Sequence, residues 1–330
     1  MSQELRIGIL IPSYNEGNDL IDSLQYVFNQ TSAFDEVLVV DDSCDGTDKL
    51  VSSTFGDKVK LIHRDRPQGR CSARNLGMQI STADVVVILN ADVHLPPNFC
   101  EQLKQKYSCE KCDALGVDVV ITNTEHSYAR YLYAQHLTWK RDCIGWTEGF
   151  SVRRSAFFKT KGFPDSYPLP ILAGEDGEFV FDLQRAGAKL CFDFDLKVST
   201  VMPENWATIK SQIRGRASLR TLHFVYDKSL GELFFRSILK QIRRLIILLT
   251  VLRFIWRVVW LWSHFNQGWK DLVHYARYEL SVERLRSHQE WLDLGTFLRL
   301  HRHNGWNVLD VLLKRPSQLI AKTPLPESVC

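Results

Sequence analysis

Val85-Val86-Val87-Ile88-Leu89-Asn90-Ala91-Asp92-Val93-His94 is the stretch on which the fold turns. Its apolar half reads as a strand leaving a hydrophobic core, and it stops at an acidic turn. A carboxylate there, with an imidazole two residues on, can hold a divalent cation at the carboxyl edge of a sheet. Open α/β sheets bind their ligands at that edge, and Mg²⁺ or Mn²⁺ takes oxygen-rich sites shared with substrate phosphates. The competing reading is a strand-ending Asx turn. Neighbouring segments decide between the two.

Working outward, residues 6–95 alternate apolar runs with amphipathic ones, the pattern of βαβ units and a mostly parallel sheet. Strands are expected at 6–11, 36–40, 59–63 and 85–89, with helices at 19–29, 47–54 and 71–80. Three strand ends are polar: Pro12-Ser13-Tyr14-Asn15-Glu16, Asp41-Asp42-Ser43 and Asn90-Ala91-Asp92. In a parallel sheet these would lie side by side at one edge. Further along, strands are expected at 115–122, 149–153 and 190–194 and a helix at 130–139. Gly174-Glu175-Asp176 leads into a helix over 178–186 that closes at Gly187, as a C-terminal glycine should. After Pro203 the apolar period becomes 3.6. The division expected is an α/β domain over 1–205 and a helical region over 206–330.

The 330 residues suffice for about two domains. The net charge of +3 hides an asymmetry: from Lys210 onward the chain holds 20 Lys and Arg against 9 Asp and Glu, whereas residues 1–209 hold 21 against 29. An acidic half joined to a basic half fits a metal-using site beside a surface for anionic groups. The polar amino terminus shows no signal peptide, so the eight cysteines are expected as thiols in a reducing, cytoplasmic setting. Cys109-Glu110-Lys111-Cys112 has no second pair at zinc spacing. Neither G-x-x-x-x-G-K-[ST] nor a G-x-G-x-x-G after the first strand occurs, which argues against a P-loop NTPase and a standard dinucleotide oxidoreductase.

Each polar segment has a bland reading and a chemical one. Tyr14 and Glu16 can receive a base ring and its N–H, or simply line a loop. A strand-end Asp often caps the next helix, yet the doublet Asp41-Asp42 beside Glu16 and Asp92 suggests ligand binding. Arg70 and Arg74 share a helix face near an N-terminus that favours anions, or they form surface ion pairs. Glu175 and Asp176 are helix caps, or one is a general base for a hydroxyl nucleophile and the other orients it.

In combination the pattern resembles the family 2 glycosyltransferases. The matching segments are PSYNE at 12–16, VVDDS at 39–43, GRCSARNLGM at 69–78, ILNADVHLPP at 88–97, GFSVRRSAFFKTKGF at 149–163 and GEDGEFVFDLQRAG at 174–187. The resemblance implies a GT-A fold (Rossmann-like, with a mostly parallel sheet) and metal-dependent, inverting transfer of one sugar. The donor would be a nucleotide sugar, UDP-linked by family habit, and the acceptor a glycan or lipid-linked hydroxyl. It further implies Pro12, Tyr14, Glu16, Asp42, Arg70, Asn75, Asn90 and Ala91 at the nucleotide sugar. Asp92 would be the metal carboxylate of a D-x-D-like motif, and Asp176 the catalytic base with Glu175 beside it. Two departures stand out. Asn90 replaces the motif's first acid, for which His94 is the expected compensation, and no Gln-x-x-Arg-Trp of processive members occurs. Arg214 and Arg216 take that place and are expected at a phosphate.

Residues 236–265 form the second distinctive segment. Arg236, Arg243, Thr250, Arg257 and His264 fall on a heptad-spaced polar stripe, the remainder is rich in Leu, Ile, Val and Trp, and no acid lies between Glu232 and Asp271. Arg253 and Arg257 would each cost about 2.5–3.5 kcal/mol at the centre of a spanning helix. An interfacial helix on a membrane and a helix packed against protein are the open alternatives. No nucleic-acid partner is expected. A nucleotidyltransferase and a catalytically silent nucleotide-sugar scaffold, the latter suggested by Asn90, are the rival functions.

Overall fold

The computed structural model describes residues 5–139, 147–165, 174–213 and 247–285. They fall into two compact units. The first is built on an eight-stranded sheet of β1 (Ile7–Ser13), β2 (Glu36–Asp41), β3 (Lys60–His63), β4 (Val85–Ile88), β5 (Val93–His94), β6 (Ala114–Ile121), β7 (Phe150–Arg153) and β8 (Leu190–Thr200). Its helices are α1 (Asn18–Phe28), α2 (Thr47–Phe55), α3 (Arg70–Ile80), α4 (Phe99–Cys109), α6 (Arg154–Phe157) and α7 (Glu175–Arg185). The second unit includes α5 (Ser127–Trp139) and the helices 206–213, Ile247–His264 and 269–285.

The strand order is β3-β2-β1-β4-β7-β6-β8-β5. β3, β2, β1 and β4 are parallel, as the alternating pattern predicts. Because β2, β1 and β4 are neighbours, their three polar ends meet at one edge of the sheet. β6 and β8 also run parallel, whereas β7 pairs antiparallel with both β4 and β6 and β5 antiparallel with β8, so the sheet is mixed with parallel pairings in the majority.

β1, β2 and β4 are buried on both faces, and this is why they read as apolar runs, whereas the edge strand β3 is not. Ile7, Ile9 and Ile11 of β1 pack with Val37, Val39, Val85 and Val87 against α1, α2 and α4. The alternate residues Leu10, Leu38, Val86 and Ile88 pack against α3 and α7 on the other face. Helix α3 rides close on β1: a Cβ at Gly77 would come within 2.2 Å of Leu10 Cδ1.

Two expectations need correction. Cys112 and Cys191 are joined in a disulfide with their Cα atoms 6.0 Å apart, so the thiol reading holds at Cys44, Cys71, Cys100 and Cys109 but not at this pair. β6 and β8 run side by side and place Leu115 opposite Cys191, which brings the two sulfurs together across 79 residues of sequence. In the second unit, Arg257 is not on an outward cationic stripe. Its Nε lies 2.6 Å from Glu279 Oε2, and Glu279 is buried. Asp271 is likewise buried and accepts from Arg130 Nε and Nη2.

Candidate active site

The site grows from the shared edge of β2, β1 and β4. After β1 the backbone turns through Asn15 at φ +57, a left-handed conformation that Asn tolerates. Asn15 holds it there with its N–H on Ser43 Oγ at 2.7 Å and its Oδ1 accepting from the Cys44 N–H at 2.9 Å. This crossed pair locks the β1 and β2 loops together. It leaves Tyr14 about half exposed and Ser13 Oγ buried without a partner among the described residues. Pro12, next to last in β1, is half-buried, and Ala91 is buried under the β4 turn.

The two aspartates after β2 are already engaged. Asp41 is fully buried, accepting from Ser43 Oγ and lying 2.8 Å from His63 Nδ1. Asp42 takes a bidentate grip from Arg64, through Nε on Oδ1 and Nη2 on Oδ2, and its Oδ2 also accepts the N–H groups of Gln68 and Gly69 at 2.9 Å. The visible work of Asp42 is to fix the loop that starts α3.

Helix α3 then supplies the arginines. Arg74 is buried, and its guanidinium donates to Glu175 Oε1 at 2.8 Å, Asn90 Oδ1 at 3.1 Å and Thr147 Oγ1 at 3.0 Å. Arg70 reaches the same carboxylate, Nε to Oε1 at 2.6 Å and Nη2 to Oε2 at 2.9 Å. Burial alone would raise the proton affinity of Glu175, but the two guanidinium groups outweigh it and hold the carboxyl below its ordinary range. Glu175 is therefore an ionised anchor for the start of α7. Asn75, expected at the nucleotide, has its carboxamide engaged within the protein. Its Nδ2 donates to Phe163 O and Asp165 Oδ2, and its Oδ1 accepts the Phe163 N–H, so the carboxamide is engaged in holding the turn after α6.

The remaining carboxylates crowd one another. Burial, and then the charge of Glu175, push Asp176 up to about 6. Burial followed by Asp92 and Asp19 raises Glu16 to about 7. Asp92, at the turn after β4, is also raised, by desolvation first and by Asp19 next, with His94 opposing. The residue that sequence reasoning missed is Glu148, raised to about 7 by burial and by the charges of Asp176 and Asp92. Its place is fixed by Gly149, whose N–H bonds Ile88 O at 3.1 Å. Gly149 takes φ +79, and a Cβ there would sit 2.9 Å from Val198 Cγ1, so only glycine passes. Glu148 Oε1 lies 3.4 Å from Asn90 Nδ2. The only sequence signal for Glu148 is an acid immediately before a glycine that opens a strand.

These carboxylates raise one another's proton affinity, the electrostatic state a divalent cation relieves. The carboxylate oxygens of Asp92 and Glu148 are the donor type that Mg²⁺ or Mn²⁺ prefers. The described carboxylates do not yet close to ligation distance. The described triads with ligand atoms within 4.8 Å are Asp41, Asp48 and His63, and Glu110 with the bonded Cys112 and Cys191. His94, expected as a metal ligand, stacks on Tyr26 of α1 at 4.4 Å between ring centroids and belongs to neither triad. Arg214 and Arg216 lie outside the described residues.

Comparison with known proteins agrees with this geometry. Residues 8–163 match the model of the family described as "Glycosyl transferase family 2". A 120-residue stretch is 27% identical to glycosyltransferase GlyG of Streptococcus pneumoniae, covering 36% of this chain and 38% of that protein. Another, of 202 residues, is 32% identical to glycosyltransferase AglE of Haloferax volcanii, covering 58% of this chain and 65% of that one. The chain thus spans less than two thirds of the length of either relative. In fold it is similar to the mannosyltransferase PcManGT of Pyrobaculum calidifontis, solved with GDP-Man and Mn²⁺. The TM-score is 0.51 at 16% identity, over 91% of this chain and 81% of that one.

Proposed function

We propose that the chain, whose residues 8–163 match the family 2 glycosyltransferase model and whose fold is similar to that of a solved mannosyltransferase, moves one sugar from a nucleoside diphosphate sugar, UDP-linked by preference, to a hydroxyl of a glycan or lipid-linked acceptor. The observation that carries this reading is the convergence of the β2, β1 and β4 ends with Asp176 of α7 at one sheet edge. Tyr14 offers an exposed ring to a base, and the buried, unpartnered Ser13 Oγ offers a hydrogen bond beside it. Asp92, with Glu148 beside it, would hold a Mg²⁺ or Mn²⁺ ion, which when bound neutralises charge on a departing diphosphate.

Asp176 takes the acceptor hydroxyl's proton. Its raised affinity, about 6, suits a base that works near neutral pH. As the proton leaves, the hydroxyl oxygen bonds to the anomeric carbon while the bond to the diphosphate oxygen breaks on the opposite face. A single displacement of this kind inverts configuration and needs no covalent enzyme intermediate. Glu175, clamped by Arg70 and Arg74, holds Asp176 in place. A cytoplasmic setting belongs to the same reading, although Cys112–Cys191 is a bond that reducing compartments disfavour.

The test is a panel of nucleotide sugars with and without Mn²⁺, read by thermal shift and by product analysis. One donor should stabilise the chain, since a ligand that binds only the native form does so by mass action, and turnover should release a nucleoside diphosphate. Release of pyrophosphate would make it a nucleotidyltransferase. Stabilisation by a donor without turnover on any acceptor would make it a silent scaffold.

A further inference from the structure

We propose that the helix Ile247–His264 rests on an anionic lipid bilayer through Leu252, Ile255, Trp256, Val259 and Trp260. The five recur at i, i+3, i+4, i+7 and i+8, which is a single stripe on a helix. Each is between 43% and 62% exposed. Trp256 and Trp260 stack on each other, with ring centroids 5.4 Å apart and planes at 16°.

Among the described residues, packing does not account for this stripe, because the helix uses another side for its contacts with them. Val258 and Leu261 are buried, Arg257 is paired with the buried Glu279, and Trp262 Nε1 donates to Gly268 O. The two open readings of the basic segment therefore apply to different faces of the same helix. One face is core, and the other is an apolar strip that water would otherwise wet. Contiguous exposed apolar surface of this kind marks an interaction site.

Charge selects the occupant. Both buried acids of the two consecutive helices, Asp271 and Glu279, are neutralised internally by Arg130 and Arg257. The exposed charges are then Arg253, Lys270, Arg277 and Arg284 against the single acid Glu283. An apolar strip with two tryptophans, flanked by Arg253 on a pair of helices whose exposed charges are mainly cationic, has the constitution of a helix that lies in the headgroup layer of an anionic membrane. Tryptophan settles at that depth because its ring is apolar and its N–H polar. A second copy of the chain is the poorer occupant, since a two-fold interface sets a patch against itself and would bring the Arg253 borders face to face. Among the described residues no helix is long and apolar enough to cross a membrane, so the contact is peripheral.

The inference stands apart from the sugar-transfer reading and fails separately from it. The full chain is floated with vesicles of phosphatidylcholine alone and with about a third phosphatidylglycerol, beside a Trp256→Gln/Trp260→Gln variant. Wild type should float with the anionic vesicles, less so at high salt, and the variant should lose about tenfold or more in partitioning. Its thermal midpoint and nucleotide-sugar thermal shift should stay unchanged, and both proteins should elute as the same species on gel filtration with light scattering. The proposal is overturned if wild type stays with the soluble fraction, if the variant floats equally well, or if wild type is a dimer that the variant dissolves.

Discussion

Replacing Glu148 by Gln should stabilise the metal-free protein and weaken its response to metal, and the size of the effect follows from the crowding of carboxylates. An acid whose proton affinity rises from 4.5 to about 7 on folding carries no penalty below pH 4.5, where folded and unfolded chains are both protonated. Between 4.5 and 7 the unfolded chain has lost a proton that the folded chain still holds, so stability falls as pH rises. Above 7 the full penalty remains. At about 1.4 kcal/mol per pH unit the ceiling is about 3 kcal/mol at pH 8 and under about 1 at pH 5. Solvent at the mouth of the site brings the pH 8 figure to roughly 1–3 kcal/mol. Gln keeps the shape and the contact with Asn90 but never ionises. In chelator, its thermal midpoint should exceed wild type by roughly 2–8 °C at pH 8 and hardly at all at pH 5. Mn²⁺ should then raise the wild-type midpoint more than that of the variant. A lower midpoint at pH 8, or the same difference at both pH values, would refute the reasoning, since neither is compatible with repulsion among Glu148, Asp92 and Asp176.

Asp176→Asn should cut transfer by about 10²–10⁴-fold while leaving donor thermal shift in place; nucleoside diphosphate release at saturating donor measures it, and retention of wild-type turnover would remove Asp176 from its role. Asn90→Asp adds a carboxylate 3.4 Å from Glu148 at an atom that now donates to it. The metal-free protein should therefore be less stable above pH 7, and calorimetry should find Mn²⁺ bound more tightly. Gly77→Ala forces a methyl to within 2.2 Å of Leu10 Cδ1 in the core, which should cost about 1–3 kcal/mol of overpacking in denaturant unfolding.

What was legible in the sequence was what local patterns encode. β1, β2 and β4 are buried on both faces, so their apolar runs end abruptly where the loops begin, and their adjacency followed from the parallel βαβ pattern. The antiparallel insertion of β7 was not legible, because pairing partners are chosen by the tertiary structure and a four-residue strand carries no record of direction. β8 was read as ending near 194 but runs to Thr200. Its outward side chains, among them Asp195 and Lys197, are polar and break the apolar alternation. Helix α4 went unread behind Pro96-Pro97, because only Phe99, Cys100, Leu103 and Tyr107 of its eleven residues are buried. Glu148 carries no local signature, and its importance comes from the fold placing it against Asp92 and Asp176.

The doublet Glu175-Asp176 shows why motif and geometry are both needed. Adjacent in sequence and of the same charge, the two acids read as interchangeable. Folding separates them chemically: two guanidinium groups converge on Glu175 and hold it ionised, while Asp176, with no ion pair among the described residues, is pushed up by burial and by that same ionised neighbour. Environments that drive two titratable groups apart are how acid and base roles are assigned in enzymes. Arg74 links this division to the opposite side of the site, because one guanidinium bonds Glu175, Asn90 and Thr147 together. Asn90 is neutral, and it accepts from Arg74 through Oδ1 while donating toward Glu148 through Nδ2. An aspartate in its place would accept from Arg74 equally well but could only repel Glu148. The amide at position 90 and the acid at position 148 are thus two parts of one arrangement, joined through Asn90 Nδ2 and Glu148 Oε1.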